Sequence, residues 1–65
     1  MAHQLAKRLK DLRAERGLTQ AALAKRAGLT LGYVARLEIG MHDPQLSTLQ
    51  KLAKALGVKP SQLID

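Results

Sequence analysis

The sequence predicts an all-α fold, a compact bundle of five short helices, and three observations carry that expectation. Leu and Ala dominate a composition that is 46% hydrophobic, with a single aromatic, Tyr33, in 65 residues. Both favour helix, and no β-branched alternation marks a strand. Apolar residues recur at helical spacing, as in Leu5, Leu9 and Leu12. Glycine followed by an apolar residue punctuates these runs at Gly17-Leu18, Gly28-Leu29 and Gly57-Val58, the ending of a helix whose next side chain folds back onto it. A chain of this size is expected to make one domain, residues 1–65, with only about 3–5 kcal/mol of net stability from its core.

The first helix is expected from about His3 to Arg16, with Leu5, Leu9 and Leu12 on one stripe and Lys7, Arg8 and Lys10 elsewhere. Gly17 ends it, and Thr19 is a good N-cap for a second helix that carries Leu23, Ala24 and Ala27 on its inner side. Gly28 stops that helix, Leu29 plugs the turn and Thr30 caps a third helix, spanning 30–39. Val34 and Leu37 anchor the third helix, and Gly40 terminates it ahead of a short loop, Met41-His42-Asp43-Pro44-Gln45. A fourth helix spans roughly Leu46 to Leu56, with Leu49, Leu52, Ala53 and Leu56 inward. Ser47 has the chemistry of a cap whereas Leu46 reads as a core residue, and the two place its start differently. Pro60 suits the first position of a last short helix, with Leu63 and Ile64 closing the core.

The composition narrows the function. Without Cys there is neither a disulfide nor a thiolate metal site, and His3 and His42 are too far apart in sequence to read as a metal pair, so no metal or other cofactor is expected. Five scattered acidic residues and a bundle too small for a buried pocket argue against an enzyme. The N-terminus is charged and amphipathic, unlike a signal peptide, and no run approaches the roughly 18 apolar residues of a membrane span. Residues 2–16 could lie on an anionic membrane as a cationic helix, but their apolar stripe is narrow and the rest of the chain offers it a core, so no membrane partner is expected. The net charge of +6 favours an anionic partner, nucleic acid first, and eight of the eleven Lys and Arg residues lie between Lys7 and Arg36.

The most specific feature is the stretch from Gln20 to Ile39. Two helices joined at a steep angle by three residues need small side chains where they cross, which Ala24 and Ala27 supply. Gly28 permits the turn, and Leu29, Val34 and Leu37 lock one helix against the other. This is how a protein lays one helix into the major groove of DNA. On a helical wheel Val34 and Leu37 face the core, and Gly32, Ala35, Arg36 and Ile39 face away, with Leu31 at the leading end. Arg36 alone can make a strong bidentate contact, to guanine O6 and N7 or to a phosphate, whereas Leu31, Ala35 and Ile39 can at best touch thymine methyls. Tyr33 packs at the edge of the core face, its hydroxyl a candidate for a phosphate contact. His3 and His42 read as inert surface residues, and Lys51, Lys54 and Lys59 as solubilising charges.

Leu12-Arg13, Gly17-Leu18-Thr19-Gln20, Leu23-Ala24, Gly28-Leu29-Thr30, Tyr33-Val34, Arg36-Leu37-Glu38, Gly40, Pro44, Leu49, Leu52-Ala53, Ala55-Leu56-Gly57-Val58 and Leu63 stand in the order and spacing of a known family. Over nearly its whole length the chain resembles the phage-repressor-type helix-turn-helix family, also called the Cro or xenobiotic-response-element group. The resemblance implies a transcriptional regulator, or its DNA-binding domain, that acts as a homodimer on double-stranded DNA, in the cytoplasm and associated with a bacterial or phage nucleoid. It makes the third helix the recognition helix and gives Gln20 a phosphate to grip. Thr19 and Thr30 match capping and backbone-contact positions, and Arg13 and Glu38 match a salt bridge between the first and third helices. Val58, Leu63 and Ile64 are expected to leave apolar surface for dimerisation. The chain departs from the family pattern at Leu31, Ala35 and Ile39, where polar or basic residues are common, and in a Met41-His42-Asp43 loop without basic residues to hold the DNA backbone. Two readings follow: a DNA binder that leans on phosphate contacts and DNA shape, or a helix-turn-helix scaffold whose apolar strip on helix 31–39 binds a protein.

Overall fold

Local chemistry sets several of the helix ends. The computed structural model describes residues 2–64, with side chains described from residue 4 onward, so the side chain of His3 and the two ends of the expected 1–65 domain lie outside the described residues. The elements in order are α1 (Ala2–Glu15), α2 (Gln20–Ala27), α3 (Leu31–Glu38), α4 (Leu46–Leu56) and α5 (Ser61–Ile64), with no strand among the described residues. Thr19 and Thr30 start α2 and α3 alike: each Oγ1 accepts the backbone N–H three residues on, from Ala22 at 3.0 Å and from Tyr33 at 3.2 Å. These bonds satisfy N–H groups that have no partner within the helix.

Between α2 and α3 only Gly28, Leu29 and Thr30 intervene. Gly28 sits at φ 71°, left-handed backbone that glycine adopts without a Cβ clash, and the Leu29 N–H donates back to the Ala24 carbonyl at 2.8 Å. Leu29 is thereby turned onto the core. The same ending recurs after α4, where the Val58 N–H donates to the Ala53 carbonyl at 2.9 Å.

Leu5, Leu9, Leu23, Val34, Leu37, Leu52, Leu56 and Leu63 are fully buried and form one core with Ala24, Ala27, Leu49 and Ala53. α3 packs against both α1 and α2, α2 also against α4, and α5 closes over α1. Burying each of these leucines contributes about 1.5–3 kcal/mol before conformational entropy is subtracted. Ala24 and Ala27 are buried on α2, which packs closely against α3.

Several sequence expectations are corrected. The third helix is a residue shorter at each end than 30–39, because Thr30 and Ile39 are its caps. Leu46 is not a core residue: it shares a helical stripe with Leu49 and Ala53, yet at the first position of α4 nothing closes over it and it is 65% exposed. Ser47 is not the cap of α4 either, since Gln45 holds that position without a side-chain hydrogen bond. Leu63 offers no surface for a dimer, being fully buried, while Val58 and Ile64 are half-buried. Pro60 immediately precedes α5 rather than taking its first position, and beside it the Gln62 side chain accepts the Lys59 N–H at 2.8 Å.

Candidate nucleic-acid interface

Glu38, on the last turn of α3, is buried at 8% exposure. An unpaired carboxylate there would be costly, and three donors answer it. Arg13 of α1 gives its Nε–H to Oε2 at 2.6 Å and an Nη2–H to Oε1 at 3.0 Å. Gln20 adds an Nε2–H to Oε1 at 3.1 Å, and Arg13 Nη1 reaches the Leu18 carbonyl at 2.7 Å. The hydrogen bond to Glu38, reinforced by its charge, holds the Arg13 guanidinium above the usual arginine value against the opposing effect of burial. One cluster thus ties α1, the turn after it, the start of α2 and the end of α3, and fixes how α3 sits on the bundle. Arg13 and Glu38 form the expected salt bridge. Gln20 turns one amide N–H inward to that pair, a partner that sequence spacing did not indicate.

The outward face of α3 follows the wheel closely. Leu31, Gly32, Arg36 and Ile39 are exposed; Ala35, placed on the open face, is half-buried, as is Tyr33. Thr19 and Thr30 lie exposed at the starts of α2 and α3, their hydroxyls engaged in capping. Leu31 and Ile39 are 51% and 70% exposed, and Met41 and Leu46 join them as large exposed apolar residues.

His42 is not inert. Its ring stacks on Tyr33 with centroids 5.5 Å apart and planes 28° from parallel, and its Nε2 accepts the Arg36 Nε–H at 3.2 Å. The turn at Gly40 makes this possible, because the Met41 N–H donates back to the Arg36 carbonyl at 3.0 Å and brings the loop over the end of α3. Nothing local in the sequence marks the pairing. Another contact without a local sequence signal is that of Arg16, whose Nε donates to the Leu56 carbonyl at 2.9 Å and places a cation at the C-terminus of α4, where the helix dipole favours it.

Elsewhere the surface carries shallow grooves. One runs along α1 past Lys7, Arg8, Asp11 and Glu15; another, between α2 and α4, brings Arg26 beside Lys51 and Lys54. No cluster of metal-ligating side chains occurs among the described residues, and no helix is long and apolar enough to cross a membrane.

With this geometry in place, the likenesses to known proteins are specific. The helix-turn-helix family model matches residues 9–63. The chain is 44% identical over 57 residues to the immunity repressor protein of Bacillus phage phi105, covering 88% of this chain and 40% of that protein. It is 43% identical over 53 residues to an HTH-type transcriptional regulator of Sinorhizobium fredii, covering 82% of this chain and 69% of the regulator. The crystal structure of the restriction-modification controller protein C.AhdI from Aeromonas hydrophila superposes with a TM-score of 0.92 at 37% identity, covering 95% of this chain and 94% of that one. The chain thus spans less than half the length of the phage repressor but nearly all of the controller protein. These relatives are transcriptional regulators and a controller protein, not enzymes. The chain belongs to the phage-repressor-type helix-turn-helix family of transcriptional regulators.

Proposed function

We propose that this chain binds double-stranded DNA as a homodimer, with α3 in the major groove, as the DNA-reading part of a cytoplasmic transcriptional regulator acting on bacterial or phage DNA. The observation that carries the reading is the outward face of α3, where Arg36 stands between Leu31 and Ile39 on a helix whose pose is fixed by the Arg13–Glu38–Gln20 cluster. Arg36 offers a guanidinium to a guanine edge, while Leu31, Gly32, Ala35 and Ile39 present only small or apolar groups to the neighbouring bases. Gln20 has a second amide N–H for a phosphate, and Thr19, Thr30 and Tyr33 line the approach to the backbone on either side. The charge of +6 supplies the long-range attraction.

Discrimination then comes from one strong polar contact, thymine methyls and DNA shape, with affinity resting on phosphates. Two copies on a two-fold-related operator would place their α3 helices about one helical turn of DNA, roughly 34–36 Å, apart. Selection from random duplexes tests the reading, repeated at several salt concentrations. Enrichment of a two-fold-symmetric site supports it. Binding without enrichment would remove base reading, and no binding even at low salt would transfer the exposed face to a protein partner.

A further inference from the structure

We propose that His42 is a positioning residue for Arg36: it accepts the Arg36 Nε–H and so presents both terminal Nη groups to a single base edge. The inference rests on the proposed reading of DNA by α3 and adds a residue from outside that helix. Three observations on separate residues converge on it. The Nε2 of His42 lies 3.2 Å from Arg36 Nε, as an acceptor, which requires the imidazole proton to sit on Nδ1. The ring has its own support, stacked 5.5 Å from the half-buried Tyr33, so the acceptor is held by α3 itself. Beneath the guanidinium lies Gly32, where a Cβ would stand 3.4 Å from Arg36 Nη1, in van der Waals contact, and any longer side chain would compete for the same space.

An unrestrained arginine samples many rotamers and can offer either its two Nη groups or its Nε with one Nη. With Nε–H bonded to His42, the side-on pair is taken and the end-on fork remains, the geometry that matches guanine O6 and N7. The restraint also lowers the ordering cost on binding. Arg36 and Tyr33, both of α3, face the imidazole. No carboxylate takes the place of the imidazole as acceptor for the Arg36 Nε–H among the described residues.

The test compares affinity for the selected site with affinity for the same duplex carrying adenine in place of guanine. The relevant guanine is the one whose replacement no longer matters to Arg36→Ala. His42→Ala should reduce the discrimination at that base by about tenfold while leaving affinity for random duplex unchanged. His42→Gln, whose side chain keeps an acceptor oxygen, should recover most of the ratio. His42→Lys, which brings a donor and a charge, should raise affinity for random duplex yet discriminate as poorly as the alanine variant. Full discrimination by His42→Ala, or failure of His42→Gln to outperform it, would overturn the positioning role. If Arg36→Ala identifies no guanine, Arg36 itself does not read a base, and the role of His42 falls with it.

Discussion

Glu38 is where charge and burial conflict most directly. Removing one member of a buried ion pair strands the other and costs about 3–5 kcal/mol, comparable to the entire net stability of a core this small. Arg13→Met should therefore be largely unfolded at 25 °C, seen as loss of helical circular dichroism and of a cooperative melt. Arg13→Met combined with Glu38→Leu should recover much of the melting temperature, because no charge is then buried alone; a double variant as unstable as the single would mean that the helix ends need the polar cluster itself. Arg36→Ala belongs to the other class. Its side chain is exposed, so the melting temperature should hold while affinity for the selected site drops by about 1–3 kcal/mol. The Arg13–Glu38 pair was legible through family resemblance, and Arg36 through its place on the wheel. The inward turn of Gln20 and the role of His42 were not, because each depends on a partner 18 and 6 residues away that only the turns bring close.

The turn between α2 and α3 sets the crossing of the two helices. Beyond its two chain neighbours, nothing lies within 4 Å of where a Cβ on Gly28 would stand, so substitution there is opposed by backbone conformation alone. Gly28→Ala should cost about 1–2 kcal/mol, and the β-branched Gly28→Val more, read as successive drops in melting temperature. A Gly28→Val variant melting at the wild-type temperature would contradict the left-handed turn. Leu37→Ala, from a fully buried site on α3, should cost about 2–5 kcal/mol in urea unfolding. At this scale the sequence was read well where glycine is followed by a covered side chain, as at Leu29 and Val58. It misled at Leu46, because spacing assigns a residue to a face of a helix but not to a neighbour that covers it. Met41 teaches the same lesson: its N–H makes the bond to Arg36 that Leu29 makes to Ala24, yet its side chain is 62% exposed.

The whole molecule couples a basic surface to one fixed helix. Its affinity for duplex DNA should fall linearly in log–log terms with salt, the slope growing by about 0.9 for each phosphate engaged. Gln20→Ala should weaken binding to all sequences alike, as a phosphate contact does, whereas Arg36→Ala should flatten the preference among them. Five helices in order were readable from composition, spacing and glycine punctuation. Less readable was the assembly of Arg26, Lys51 and Lys54 into one groove, since those residues meet only through the packing of α2 on α4. The most direct test of α3 as the reading element is an amide chemical-shift map of the labelled protein on titration with its selected duplex, at a salt concentration that suppresses non-specific binding. Shifts should concentrate at residues 19–22 and 30–42, with α5 unmoved except where two copies touch. Shifts confined to α1, or to the groove between α2 and α4, with α3 silent, would contradict it.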